Sequence, residues 1–368
     1  MKQINVATLR NWLDEHRPVV LLDVRTAEDR AQWAIPGSIH VNAYDELKAG
    51  PSRALSAMDL PGNAPVVAIC NRGNTSQAAA EQLLNRGLDA YSLAGGMKAW
   101  SLAWNLAEWK LERSQTHVLQ VRRTGKGCLS YLLASDGQAI VIDASLPPEL
   151  YLDVAQRHGW VIRYVLDTHI HADHLSRSRT LAERSGANLC LPDQNRASFN
   201  FTALTDGQTL EFGSVVLRAL ATPGHTKESM CYYVEGEALF TGDTLFVAGV
   251  GRPDLHAGEE ETKQRARTLY RSIERLQLLP PSTLVFPGHT SEPIPFDQRP
   301  ICAELGNIAS QFSSHYRSEQ EFTDRIVGAI PPTPPNYERI TALNESGLLP
   351  EEDPTELEAG ANRCAVSQ

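Results

Sequence analysis

Thr168-His169-Ile170-His171-Ala172-Asp173-His174 places four potential metal ligands within six residues. It follows the apolar run 161–166, whose β-branched residues predict a buried strand. The ligands therefore fall at a strand end, at the expected opening of a helix. Three more candidates stand downstream: His225 in Thr222-Pro223-Gly224-His225-Thr226, Asp243 in Phe240-Thr241-Gly242-Asp243-Thr244, and His289 in Phe286-Pro287-Gly288-His289-Thr290. Each follows apolar residues and sits beside glycine, as a ligand on a strand-end turn would. Imidazole and carboxylate suit Zn²⁺ or Fe²⁺, and no thiolate belongs to the set. Seven such residues in matching contexts are hard to ascribe to chance. His16, His40, His117, His158, His256 and His315 lack that context and read as ordinary surface or core histidines.

The texture around these motifs is that of a β-sandwich with helices outside. His117 to Val121 alternates apolar and polar residues, as a half-buried strand does. Runs 129–133 and 139–142 flank Asp136-Gly137, a hairpin pair. A helix over 147–158, hairpin-like strands between 208 and 240, a charged helix over 259–276 and a strand over 283–286 complete the pattern. The first hundred residues differ. Strand signals at 19–24, 66–69 and 90–93 alternate with a helix over 76–84 that stops at Gly87, a βαβ rhythm implying a small parallel sheet covered by helices. At roughly 150 residues per domain, the 368 residues divide in two. The boundaries expected are a first domain over 1–106, a linker over 107–115, a second domain over 116–348 and a poorly ordered polar tail over 349–368. Trp100, Trp104 and Trp109 read as packing residues of the last helix and the linker. No internal repeat is present.

Composition bounds the function. Hydrophobic residues are 42% and charged residues 21%, an ordinary globular balance. The net charge of −10 argues against nonspecific binding of nucleic acid or anionic membrane, which needs a basic surface. No run approaches the roughly 18 apolar residues of a membrane span, and Met1-Lys2-Gln3-Ile4-Asn5 lacks a signal-peptide core. The six cysteines form no C-x-x-C pair and no disulfide framework. A cytoplasmic location is the expectation, and a homo-oligomer is left open.

One cysteine has a special setting: Ile69-Cys70-Asn71-Arg72-Gly73-Asn74-Thr75-Ser76, between a strand and a helix. Free backbone N–H groups and the helix dipole would stabilise a thiolate there, or a terminal persulfide anion. Gly73 lets the loop curl around the sulfur. Leu22-Asp23-Val24-Arg25, Ile35-Pro36-Gly37-Ser38-Ile39 and Leu93-Ala94-Gly95-Gly96-Met97-Lys98-Ala99-Trp100 flank the loop in order. Together these four motifs, over about the first 105 residues, resemble a single rhodanese domain of the sulfurtransferases. The resemblance makes Cys70 the sulfur carrier and Asn71, Arg72, Gly73, Asn74, Thr75 and Ser76 its cradle. Rhodanese-like phosphatases have a longer loop closing with Arg, so the loop here points to sulfur rather than phosphate. Many family loops carry a cation where Thr75 stands; Arg72 is the only loop cation here. Trp33-Ala34 replaces a frequent Gly-His, a packing change. The other cysteines read as dispensable: 128, 190 and 231 in strand runs, 302 in a helical run, 364 in the tail.

The histidine and aspartate motifs resemble the metallo-β-lactamase superfamily from about His117 to at least His289. The resemblance implies an αββα sandwich with metal at the edge of the two sheets. A dinuclear member would hold one metal with His169, His171 and His225, a second with Asp173, His174 and His289, and bridge them with Asp243. Val250-Gly251-Arg252-Pro253-Asp254-Leu255, shortly after Gly242-Asp243, is similar to the persulfide dioxygenase branch, as is Pro331-Pro332-Thr333-Pro334-Pro335-Asn336-Tyr337. That branch uses one Fe²⁺, and the ligands carried over are His169, His225 and Asp243. His171, Asp173, His174 and His289 would then orient ligands and waters or hold a second metal, with Arg252 and Asp254 on the substrate side. Ser176-Arg177-Ser178-Arg179 departs from the Ser-Gly common there.

The reading favoured is a sulfur-oxidising fusion enzyme with one Fe²⁺ per chain. It would oxidise a small thiol persulfide, glutathione persulfide foremost, with O₂ to thiol and sulfite, and move sulfane sulfur of thiosulfate or persulfide through Cys70. The alternative is a dinuclear Zn²⁺ thioester hydrolase resembling glyoxalase II, with an accessory sulfur carrier. A non-catalytic sulfur-binding module would have no use for two complete sites.

Overall fold

The computed structural model describes residues 2–360 and 362–367. The first domain is built on a five-stranded, all-parallel sheet in the spatial order Gln3–Ile4, Ala90–Leu93, Val66–Ile69, Val20–Asp23, Ile39–His40. Val66-Val67-Ala68-Ile69 is buried on both faces, which is why it reads as a continuous apolar run. Val66, Ala68 and Cys70 face one core with Leu83, while Val67 and Ile69 face the other with Leu9 and Trp100. The period-two alternation thus carries Cys70 to the side of the helix Thr75–Asn85.

The second domain is a sandwich. Its seven-stranded sheet runs Thr202–Leu204, Asn188–Pro192, Val161–Leu166, Gln138–Ile142, Leu129–Ser135, His117–Arg122, Asn105–Lys110. Its six-stranded sheet runs Thr209–Phe212, Val215–Ala221, Met230–Val234, Ala238–Gly242, Leu284–Pro287, Ala303–Glu304. Leu133, Ile140 and Ile142 of one sheet meet Leu217, Tyr232 and Phe240 of the other. Tyr131 stands edge-on to Phe240 at 4.9 Å, and Phe240 stacks on Phe286 at 5.2 Å. Truncating one such ring to alanine costs about 3–5 kcal/mol. The helices Pro148–His158 and Ser178–Ser185 cover the outside of the first sheet, and Glu259–Leu276 that of the second. Among the described residues no helix is long and apolar enough to cross a membrane.

Four expectations need correction. The linker expected over 107–115 begins as a strand: Asn105–Lys110 pairs antiparallel with His117–Arg122 along its whole length, because the free edge of the sheet supplies its backbone partners, and only 111–115 turn between the two. The tail is structured. Thr355–Glu358 is a helical turn, and Ala365–Ser367 adds an antiparallel strand to Gly249–Gly251. Its polarity misled because Glu358, fully buried, is matched by two buried arginines. The histidine motif opens no helix; it is a loop, and the helix waits until Ser178. Side chains hold that loop, with Thr168 N donating to Asp143 and Ile170 N to Glu228. Cys302 lies just before the strand Ala303–Glu304, not in a helix.

The two domains share polar contacts that fix their approach. Trp33 is buried and its Nε1 donates to the Thr124 carbonyl at 3.2 Å. Arg123 Nε donates to the Ser101 carbonyl at 2.7 Å. Gly125 packs against Trp100, whose carbonyl oxygen would lie 1.8 Å from an added Cβ.

Candidate functional site

The loop after Val161–Leu166, the turn after Val215–Ala221, the end of Ala238–Gly242 and the end of Leu284–Pro287 converge at one edge of the sandwich. All seven ligand candidates are brought there and buried. They separate into three groups, each with ligand atoms within 4.8 Å of one another: His169, His225 and Asp243; Asp173, His174 and His289 together with Cys128; and His171 with Asp143 and Asp167. In the first group, Asp243 Oδ2 lies 3.9 Å from His169 Nε2 and 3.6 Å from His225 Nε2. That oxygen is buried and accepts no hydrogen bond among the described residues.

Neighbours orient each member. His225 Nδ1 meets the Arg252 carbonyl at 2.7 Å, which turns Nε2 toward the carboxylate. Thr168 Oγ1 lies 2.9 Å from His169 Nδ1. Asp243 Oδ1 is 2.5 Å from His289 Nδ1. Burial drives both His169 and His225 below the usual imidazole range, so each presents a neutral ring with a lone pair. Burial opposes ionisation of Asp243, but His289 and the other imidazoles outweigh it and hold the carboxyl well below its ordinary value. Gly251 is required here, since a Cβ would stand 1.9 Å from the Asp243 carbonyl oxygen and 2.9 Å from the His225 ring.

His171 lies beside the first group, its ring centroid 4.3 Å from that of His169, but it turns Nε2 to two aspartates while its buried Nδ1 has no hydrogen-bond partner among the described residues. Its Nε2 lies 3.2 Å from Asp143 Oδ1 and 3.9 Å from Asp167 Oδ1. In the remaining group Asp173 Oδ1 is 3.0 Å from His174 Nδ1, and Cys128 Sγ is 3.3 Å from Asp173 Oδ2. Burial and Asp173 push the Cys128 thiol up, His174 and His289 pull it down, and it settles at about 7. Sequence reasoning missed Cys128, which sits in a strand-like run with no motif. It missed Asp143 and Asp167 as well, though each directly follows an apolar strand as the motif ligands do.

Arg252 and Asp254, expected on the substrate side, have another task. The buried Arg252 guanidinium holds both Asp254 oxygens at 2.7 and 2.8 Å. Its other donors go to the carbonyls of Pro331, Pro332 and Arg363. A guanidinium so committed has no donor left for a ligand. It clamps the proline segment and the C-terminal residues onto the site. A cavity of about 410 Å³ does open beside His225, lined among others by Arg196, Lys227, His256, Arg265 and Glu338. Its cations are paired: Arg196 with Glu228 and Glu345, and Lys227 and Arg265 with Glu261.

The cradle is the second site. Cys70 Sγ accepts from Gly73 N at 3.1 Å and lies 3.2 Å from Ser76 Oγ, itself 2.8 Å from Ser92 Oγ. Burial raises the thiol, but the Ser76 and Thr75 hydroxyls and the Ser76 and Arg72 amides outweigh it, so the thiol lies below its ordinary value. Gly73 has φ +87°, and a Cβ would meet Gly95 N at 2.8 Å. Asn71 donates to Asp29 at 2.8 Å. Asn74 is the residue before the helix Thr75–Asn85. Arg72 is 3.5 Å from Glu356, and Lys98 pairs with Glu356 and Asp353. These contacts bring the C-terminal segment to the rim of the cradle. A cavity of about 350 Å³ lies between them, lined by Asn71, Arg72, Lys98, Asn336 and Glu356 among others.

The fold and the two sites define a rhodanese-like domain followed by a metallo-β-lactamase fold. The rhodanese-like domain family matches residues 5–103, and the metallo-β-lactamase superfamily matches residues 123–289. Among similar curated proteins are hydroxyacylglutathione hydrolases. That of Rhodospirillum rubrum is 36% identical over 156 residues, 42% of this chain and 57% of that protein. That of Methylococcus capsulatus is 35% identical over 165 residues, 43% and 60%. The chain thus spans little more than half the length of these relatives. A metallo-β-lactamase from Staphylococcus aureus is similar in structure, with TM-score 0.57, 26% identity, and 67% of this chain and 74% of that one covered. ETHE1 from Myxococcus xanthus is 29% identical over 65% of this chain and 93% of that one, with TM-score 0.46.

Proposed function

We propose that this chain is a sulfur-oxidising enzyme in which His169, His225 and Asp243 hold one Fe²⁺ and Cys70 carries sulfane sulfur. The observation that carries the reading is the orphaned Asp243 Oδ2 facing two imidazole nitrogens, while the Nε2 of His171 is held by Asp143. Two histidines and one carboxylate are the donor set of non-haem iron oxygenases and leave positions open for exogenous ligands. A bound ferrous ion supplies the electrons that activate O₂. The protein's part is to keep both imidazoles neutral, to fix their ring orientations through Thr168 and the Arg252 carbonyl, and to seat the thiol carrier in the adjoining cavity. That cavity's paired cations and carboxylates suit a small zwitterionic thiol such as glutathione. Persulfide, O₂ and water yield thiol and sulfite. In the first domain, the Cys70 thiolate attacks a donor's sulfane sulfur, the donor's S–S bond breaks, and the donor leaves as an anion, sulfite from thiosulfate or a thiolate from a persulfide. The thiolate of the carrier then attacks the terminal sulfur, the S–S bond to Cys70 breaks, and Cys70 leaves as thiolate.

The similarity to hydroxyacylglutathione hydrolases at 35–36% identity favours a second reading, a thioester hydrolase using Zn²⁺. Metal analysis of anaerobically purified protein, with oxygen uptake measured on glutathione persulfide, separates the two. About one iron per chain with oxygen uptake is expected. Two zinc ions per chain, thioester hydrolysis and no oxygen uptake would overturn the assignment.

A further inference from the structure

The C-terminal residues do more than pack on the second domain. Asn362 Nδ2 donates to Asp173 Oδ2 at 2.9 Å, and Asn362 Oδ1 accepts from Cys364 N at 2.7 Å. The second contact fixes the orientation of the amide, because a backbone N–H can only donate; the NH₂ must face the carboxylate. Asp173 Oδ2, which also accepts from Cys128 Sγ, stands 3.0 Å from His289 Nε2, an ion-pair approach without hydrogen-bond geometry. His289 Nδ1 meets Asp243 Oδ1 at 2.5 Å. A chain of four side chains therefore runs from the C-terminal segment to the carboxylate whose free oxygen faces His169 and His225.

The same segment is tied down on both sides of Asn362. Glu358 accepts from Leu175 N, the residue after His174, at 2.7 Å. Asn362 N donates to the Lys126 carbonyl at 3.1 Å, and Lys126 Nζ to the Glu358 carbonyl at 2.9 Å. Arg252 N donates to the Cys364 carbonyl at 2.8 Å, and it is the Arg252 carbonyl that orients His225. Leu175, Lys126 and Arg252, which hold this segment, all lie far from Asn362 in sequence. A residue placed with this many fixed neighbours holds its amide still, so it can fix the carboxylate it donates to, which in turn stands beside the partner of a metal ligand.

We propose that Asn362 is a positioning residue of the metal centre, acting through Asp173 and His289 on Asp243. This rests on the assignment of His169, His225 and Asp243 as ligands, but not on the reaction performed there. Asn362 touches neither metal nor substrate. Together with Cys128 and His174, which also bond Asp173, its amide holds Asp173 in the orientation that keeps His289 against Asp243 Oδ1, and so leaves Oδ2 aimed between the two imidazoles.

Asn362→Asp isolates this role. Aspartate keeps the acceptor for Cys364 N and the size of the side chain, but it turns an oxygen toward Asp173 where a donor stood. The full chain is loaded with Fe²⁺ anaerobically, and the metal lost to a chelator is followed over time in wild type, Asn362→Asp and Asn362→Ala. Sulfur transfer through Cys70 and the thermal midpoint are measured on the same samples. The expected result is metal lost to the chelator several-fold faster in Asn362→Asp than in wild type, below the roughly 10–100-fold effect of removing a ligand's direct partner, with sulfur transfer unchanged. Wild-type metal retention in Asn362→Asp would overturn the proposal, because the turn to Cys364 would then be the residue's whole contribution. If Asn362→Asp lowers the thermal midpoint, Asn362→Ala decides: the same metal loss supports the proposal and wild-type retention overturns it. A wild-type chain that binds no metal would instead remove the ligand assignment itself.

Discussion

Replacing Glu358 by glutamine tests how the C-terminal segment is held. One carboxylate oxygen accepts from Arg123 at 2.7 Å, and the other from Arg177 at 2.9 Å and Leu175 N at 2.7 Å, with the side chain fully buried. Burial opposes ionisation, yet Arg123 and Arg177 prevail and hold the carboxyl at about 2 instead of 4.5. That displacement corresponds to about 3 kcal/mol of stabilisation at neutral pH. Removing one partner of a buried ion pair costs about 3–5 kcal/mol by a separate line of reasoning, because the arginines left behind are uncompensated. The two agree. The folded carboxyl titrates below the unfolded one, so its stabilisation is complete above pH 4.5 and is lost as pH falls through 2. Urea unfolding of the metal-free wild type and Glu358→Gln, compared from pH 7 down to pH 3, checks this. The variant is expected to be about 3 kcal/mol less stable at pH 7, with the gap narrowing as the solution becomes acidic. A gap below about 1 kcal/mol at pH 7, the scale of an exposed ion pair, or a gap that does not change with pH, would refute the reasoning.

Asp243→Ala is expected to abolish both metal binding and oxygen uptake, whereas His171→Ala reduces activity about 10–100-fold with metal still bound; metal content and oxygen consumption distinguish them. Cys70→Ser is expected to end sulfur transfer to cyanide or a thiol while oxidation of added persulfide continues, since the two sites lie in different domains. The Cys70 thiolate absorbance, isolated by subtracting the Cys70→Ser titration, is expected to rise at lower pH than that of an ordinary thiol, and in Ser76→Ala at higher pH than in wild type, following the lost hydrogen bond. Trp33→Ala is expected to destabilise the chain by about 3–5 kcal/mol in urea unfolding, because it empties a buried site and leaves the Thr124 carbonyl unpaired.

Local signals carried much of the architecture. The strand Val161–Leu166 and the helix Glu259–Leu276 have the bounds their periodicity predicts, since each pattern states which face is buried. The ligand motifs were legible for a related reason. A polar residue directly after an apolar strand has few roles other than an edge site, and the adjoining glycines mark sharp turns. The same logic reached Cys70, whose loop must present its amides inward to pass from strand to helix.

What needed the tertiary structure is what depends on partners remote in sequence. Asn105–Lys110 is a strand because a sheet edge elsewhere accepts it. Glu358 sits in a polar stretch that looks like a solvated tail, and only the folded chain brings Arg123 and Arg177 around it. Arg252 could have faced a ligand until Asp254 and three distant carbonyls claimed its donors. Cys128 gained its chemistry from His174 and Asp173, some 45 residues away. The division of seven ligand candidates into three groups was equally hidden. Residue types at regular spacing determine which side chains reach the site, but the angles at which strand ends meet decide which of them come within ligand distance of one another.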